Sequence, residues 1–430
     1  MSYDLLIRHA QLHRQEGLVD LAIEAGRFVK IAPDLSSATA TRELDAAGHL
    51  LSPPFIDSHV HLDAVLTVGQ PRYNVSGTLL EGIQIWSERK PALSVEEVKQ
   101  RALKAIEWEV AQGTLHIRSH VDVCDPQLTA LRALLEVREE VRDICDIQLV
   151  AFPQDGILSF PDGKALMRKA IESGCDLVGG IPHYEWTNDM GIEDVHYAFE
   201  LAKEFARDID CHCDETDDPH ARFTEVMAAD TLHQGWQGRV TASHCTAMHS
   251  YDNAYAFKLM RLLERAQVNV VANPFDNVVL QGRFDTYPKR RGITRVKELL
   301  ASGVNVSLGH DSIMDPWFPL GRGDMLAAAQ LALFLCQMSG YDEIQDVLDL
   351  ITTNAARTLR IQDRYGIEEG KPADFLILDA SNAFEALRLL PPRLHVFKAG
   401  REIARTTPGR SVLKRAGDEQ GNEIRYHISE

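Results

Sequence analysis

The stretch Leu50-Leu51-Ser52-Pro53-Pro54-Phe55-Ile56-Asp57-Ser58-His59-Val60-His61 decides the reading of this chain. An apolar run ends there in H-x-H. On an extended strand, side chains alternate faces, so residues i and i+2 point the same way. His59 and His61 can therefore present two imidazoles to one point, the beginning of a metal site. Such a pair alone would read as two ordinary histidines in a turn. Further candidate ligands downstream, each near the end of its own predicted strand, change that reading.

Outward from this strand, about Pro54 to Arg360, apolar runs alternate with amphipathic segments. The strands expected are Phe55–His59, His116–Val123, Ile147–Phe152, Leu177–Ile181, Asp208–Cys213, Val240–His244, Val268–Ala272 and Asn305–Leu308. Helical patterns such as Val95–Gln112, Pro126–Val141, Val195–Arg207 and Tyr255–Gln267 lie between most of them. Eight β/α units predict an α/β fold, a (β/α)8 barrel of the TIM type, with its active site at the C-terminal ends of the strands. A doubly wound open sheet would need a Gly-rich phosphate loop after an early strand, and none is found.

Both ends of the chain read as short strands: Asp4–His9, Val19–Glu24 and Arg27–Ile31 at one end, Asp374–Leu378, His395–Ala399 and Arg401–Arg405 at the other. Neither end has enough apolar residues to fold alone. They predict one small β-sandwich, residues 1–53 with 372–430, beside a catalytic barrel over 54–371.

The 430 residues, 45% hydrophobic and 25% charged, suit a globular protein with a large core. A net charge of −18 argues against nucleic acid or an anionic membrane as partner. No apolar stretch approaches the roughly 20 residues that span a bilayer. Met1-Ser2-Tyr3-Asp4 does not open a signal peptide. Seven scattered cysteines without C-x-x-C read as reduced thiols in a cytoplasmic protein and argue against a structural zinc site.

At the predicted strand ends stand His59 and His61 on strand one, Cys211-His212-Cys213-Asp214-Glu215 on strand five, Ser243-His244 on strand six and His310-Asp311-Ser312 on strand eight. Singly, His212 could be a satisfied core histidine, Glu215 a helix-start carboxylate and Asp311 an N-cap. Their joint position at one end of a barrel points to a site.

This arrangement resembles the amidohydrolase superfamily and, within it, the bacterial cytosine deaminases. The resemblance covers nearly the whole chain. It is carried by His59-Val60-His61-Leu62-Asp63, Ser76-Gly77-Thr78-Leu79, Ala151-Phe152-Pro153-Gln154-Asp155-Gly156-Ile157, Val240-Thr241-Ala242-Ser243-His244, Gln281-Gly282-Arg283-Phe284-Asp285, and Gly309-His310-Asp311 with Asp315-Pro316-Trp317. It implies one divalent metal held by His59, His61, His212 and Asp311, either zinc or ferrous iron. Binuclear relatives carry a lysine at the end of strand four; here that region is Ile181-Pro182-His183-Tyr184.

The implied reaction is hydroxide attack at C4 of cytosine or 5-methylcytosine and loss of ammonia. Asp311 would accept the water's proton, Glu215 would carry protons to ring N3 and the leaving amine, and His244 would orient the attacking group. Gln154 would pair with the O2/N1 edge, and Trp317 would wall the pocket; its alternative is a packing role. Where the cytosine deaminases carry two consecutive aspartates, this chain has Asp311-Ser312. Serine would make room for a 5-methyl group and remove a charge beside it; the alternative is drift. Other readings are a deaminase of another amino-heterocycle, such as isoguanine or creatinine, and a non-catalytic scaffold of the same fold. The expected partner is a small aminopyrimidine, with homo-oligomeric assembly.

Overall fold

The computed structural model describes residues 2–416, 420–424 and 426–427. Eight parallel strands follow one another in sequence order. They are Phe55–Val60, Thr114–Asp122, Asp146–Phe152, Leu177–Val178, Asp208–Cys213, Val240–His244, Asn269–Ala272 and Val306–Leu308. Each pairs with the next, and a bridge between Val60 and Asp311 joins the eighth to the first. At this seam the Asp311 amide donates to the His59 carbonyl at 2.7 Å, and the His61 amide to the Asp311 carbonyl at 3.0 Å. The sheet is a closed barrel.

Strands buried on both faces read as continuous apolar runs rather than alternating ones. The outward residues, among them Leu115, Ile117, Val121, Leu149, Ile209 and Val270, pack with helices such as Val95–Ala111 and Thr129–Glu140 in one apolar core. The interior is polar. Arg118 of the second strand reaches across to Asp210 of the fifth at 2.9 Å and also donates to Gln148 and the Thr358 carbonyl. Both Arg118 and Asp210 are buried. Arg118→Leu should lower the unfolding free energy by about 3–5 kcal/mol, because Asp210 would be left buried and uncompensated. Urea denaturation measures this; a loss near zero would show that Asp210 finds another partner.

The fourth strand is shorter than the pattern suggests. Gly179-Gly180 follows it, and a Cβ at Gly180 would meet Asp194 Oδ1 at 2.6 Å and Cys211 Sγ at 2.9 Å. The chain then turns through Pro182–Tyr184. A helix between the first two strands, Leu79–Arg89, also lay outside the sequence reading. Thr78 caps it by accepting from the Glu81 amide, and Gly82 lets it lie against the Trp317 indole, where any Cβ would collide.

The two termini build a second eight-stranded sheet, in the order Arg401–Arg405, Arg393–Lys398, Phe375–Leu378, Leu50–Ser52, Ser2–Leu12, Leu18–Glu24 and Arg27–Ala32. Thr39–Asp45 branches from Ser2–Leu12. The two layers are limbs of one curled sheet: Phe28 meets Phe375 with ring centroids 5.8 Å apart, and Arg27 bridges to Pro372. Thr39–Asp45 escaped the sequence reading because it is largely exposed and has no apolar alternation. Met1, and residues 417–419, 425 and 428–430 of the small-domain assignment, lie outside the described residues. Among the described residues no helix is long and apolar enough to cross a membrane. All seven cysteines are free.

Candidate active site and metal centre

The strand ends bring four predicted ligands together. Nε2 of His59 and of His61 lie 3.2 and 3.1 Å from Nε2 of His212. Oδ1 of Asp311 stands 3.5 Å from Nε2 of both His59 and His61. All four residues are buried. A neutral imidazole offers one N–H, so three ring nitrogens facing a common point leave lone pairs that they cannot satisfy among themselves. Burial, reinforced by the neighbouring rings, holds His59 and His212 well below the ordinary histidine range. Burial pushes His61 down to about 4. The rings are therefore neutral, the form that binds metal. Three imidazoles and one carboxylate converging in a buried site fit a divalent first-row cation.

Asp311 and His244 both adopt left-handed backbone, with φ of 70° and 71°. Non-glycine residues hold that conformation only where the surroundings impose it. For Asp311 the barrel seam does so. Gly309, two residues earlier, passes so close that a Cβ would lie 2.5 Å from Asn273 Oδ1 and 2.6 Å from His59 Cβ. His244 Nδ1 lies 3.1 Å from the Asn277 side-chain amide, 3.3 Å from Glu215 Oε1 and 3.8 Å from Asp311 Oδ2.

Glu215 is buried, and burial pushes its carboxyl up to about 8. Its neighbour Asp214 takes the anchoring role that a helix-start carboxylate would have, accepting from the amides of Phe223 and Thr224 and from the Thr224 hydroxyl. Glu215 is left facing the cavity.

That cavity is lined by His61, Phe152, Gln154, His212, Glu215, His244, Asp311, Ser312 and Trp317, so the predicted substrate-contacting residues share it with three of the four predicted ligands, His59 lying behind the wall. Trp317 stacks near His61, centroids 6.2 Å apart, and touches Trp86 at 6.4 Å. The amides of Trp317 and Phe318 both donate to Asp315, which fixes the loop. Trp317 thus packs and walls the pocket at once. Ser312 donates its hydroxyl to Asp276 Oδ2 at 2.7 Å. A carboxyl therefore stands beside position 312, across the serine hydroxyl.

Several contributors were not found from the sequence. His120 stacks on His59 at 3.9 Å. With His59 and Asp210 it forms another group whose ligand atoms lie within 4.8 Å. Its ring lies flat on His59, and Asp210 is already engaged by Arg118 and Ser243, so the group supports the centre rather than duplicating it. Phe152 stacks on His212 at 3.9 Å. His120 stands two residues after Arg118 on one strand face, a period-2 signal that was available. Asp276 and Asn277 had none, being a short turn of helix after the seventh strand.

Residues 42–405 match the amidohydrolase family. The chain is similar to N-isopropylammelide isopropyl amidohydrolase of Pseudomonas sp. (strain ADP), 31% identical over 94% of this chain and 98% of that one. Among solved structures it is similar to the 5-methylcytosine deaminase of Klebsiella pneumoniae liganded with 5-fluorocytosine. That likeness has a TM-score of 0.92 and 48% identity, and covers 96% of this chain and 99% of the other. It is also similar to the N-isopropylammelide isopropylaminohydrolase of Burkholderia multivorans, with a TM-score of 0.80, 27% identity, and 94% and 98% coverage.

Proposed function

This chain belongs to the amidohydrolase family, and from that premise we propose that it hydrolyses the exocyclic amine of 5-methylcytosine or cytosine, giving thymine or uracil and ammonia. The observation that carries the reading is one cavity in which Gln154, Glu215, His244, Ser312 and Trp317 surround the convergent His61, His212 and Asp311. The 48% identity to a 5-methylcytosine deaminase over nearly both whole chains supports the substrate class. A single divalent ion, zinc or ferrous iron, held by His59, His61, His212 and Asp311, belongs to the same reading. So do a cytoplasmic location and a homo-oligomeric state.

Such an ion, when bound, makes hydroxide available at neutral pH. The residues do the rest. Gln154 pairs its amide with the O2/N1 edge and fixes the ring, while Trp317 closes one face. Asp311 accepts the proton of the attacking water. Glu215 is suited to proton transfer because burial raises its carboxyl toward neutrality. It gives a proton to ring N3 and later passes one to the departing amine. His244, held by Asn277, stabilises the charge that develops as C4 becomes tetrahedral.

Ammonia release over a panel of aminopyrimidines and aminopurines tests the reading. kcat/KM for 5-methylcytosine should equal or exceed that for cytosine. Burying one extra methyl is worth about 0.8 kcal/mol, a several-fold preference. Ser312→Asp should reduce turnover of both substrates and penalise 5-methylcytosine more, since it adds bulk at the wall and sets a second carboxyl against Asp276. An unchanged substrate ratio would make Ser312 a bystander. Preferred turnover of isoguanine or creatinine would replace the substrate assignment.

A further inference from the structure

One buried carboxyl in the cavity wall has no part in the chemistry above. Asp276 lies on the short helix Pro274–Leu280, is 2% exposed, and lines the same cavity as Glu215, Asp311 and Ser312. Its Oδ2 accepts from the Ser312 hydroxyl at 2.7 Å. Its Oδ1 is buried and, among the described residues, has no hydrogen-bond partner. Both neighbours are fixed. Phe275 packs against His310 and Phe318, with centroids 4.8 and 5.3 Å apart, and Asn277 holds His244. The backbone on either side of Asp276 is thereby anchored.

A buried polar atom without a protein partner is costly, and a ligand that supplies the missing partner recovers that cost. The bound ring has few groups left to offer. Gln154 is committed to the O2/N1 edge and Glu215 to N3. The remaining polar group of an aminopyrimidine is the exocyclic amine on C4. It is also the group that distinguishes substrate from product, which presents a carbonyl oxygen at the same place.

Resting on the deaminase reading of this site, we propose that Asp276, oriented by Ser312, accepts a hydrogen bond from the exocyclic amino group and so makes the pocket select an aminopyrimidine over its oxo product. The carboxyl missing at position 312 is then supplied from the opposite side of the serine. Its placement on a separate helix frees the space of a larger side chain at 312 and keeps an acceptor for the amine. Burial, with Asp315 next, raises the Asp276 carboxyl well above the ordinary range; an N–H donor favours its charged form. When the amine has left, the N–H donor is gone, and the hydrogen bond that favoured the charged carboxylate goes with it.

The test compares ligands with and without the amine. Pyrimidin-2-one keeps the ring and its O2/N1 edge and lacks the amino group. Asp276→Leu should lower kcat/KM for 5-methylcytosine and cytosine by about 10- to 100-fold, while the inhibition constant of pyrimidin-2-one moves by less than about 3-fold. Thymine should inhibit the variant more strongly than the wild type. Asp276→Asn keeps a carbonyl acceptor and should show a smaller loss of the same kind, still confined to amine-bearing ligands. Retained binding of pyrimidin-2-one certifies a folded pocket in each variant. Equal weakening of all ligands, or no change in either variant, would overturn the proposal and leave the deaminase reading standing. A wild-type protein that binds pyrimidin-2-one but turns over no aminopyrimidine would remove that reading, and this one with it.

Discussion

Purified protein will carry about one divalent ion per chain, and His61→Ala and His212→Ala will each lose most of it together with deaminase activity. The geometry makes the expectation strong. His212 Nε2 lies within 3.2 Å of Nε2 on both His59 and His61, so each ring removed takes away one of three nitrogens aimed at a single point. His244, whose ring also lies within reach of His59 and Asp311, is held through Nδ1 by the Asn277 side chain. His120, the nearest further ring, is stacked face-on against His59 and cannot turn a lone pair to the focus without leaving that stack. Metal analysis of the purified variants beside the wild type decides the matter. Full occupancy in both variants would place the ion elsewhere.

The second large effect belongs to Glu215. Glu215→Gln keeps the shape of the side chain and removes its ability to carry a proton. Turnover should fall by about 10²- to 10⁴-fold, the contribution of a positioned general acid/base. Metal content and thermal stability should stay near wild type, because Asp214 and not Glu215 anchors the loop through Phe223 and Thr224. This separation of activity from metal content distinguishes a proton carrier from a ligand. A variant with near-normal turnover would pass the role to another group in reach, His244 first, 3.3 Å away.

The legible part of this site follows from one geometric rule. In a parallel barrel, strand ends converge, so chemistry-bearing residues that close apolar runs must meet even when 150 residues separate them, as His61 and His212 do. His59, His61, His212, Glu215, His244 and Asp311 all obey it. Asp276, Asn273 and Asn277 do not, since they lie on a loop and a short helix beyond the strand end, where no period marks which side chain turns inward. Ser312 shows the limit of reading one position at a time. Its residue type was plain, but its meaning depends on the carboxyl of Asp276, 36 positions away. The exposed strand Thr39–Asp45 failed for a different reason: an edge element buries too little apolar surface to leave a pattern.

The bridge between Val60 and Asp311 closes the barrel between two candidate ligand-bearing strand ends. The backbone bonds His61 to Asp311 and Asp311 to His59 carry the seam, and the side chains of the same three residues face the proposed ion. An ion held there would act as a clasp. Opening the seam and releasing the ion would then be linked equilibria, each strengthened by whatever strengthens the other. A ligand that binds only the closed form, present at a thousand times its dissociation constant, adds about 4 kcal/mol to the free energy of opening. Resistance to unfolding would thus depend on how much of the ion the surroundings supply, so that starvation for the metal would shorten the lifetime of the protein as well as silence it.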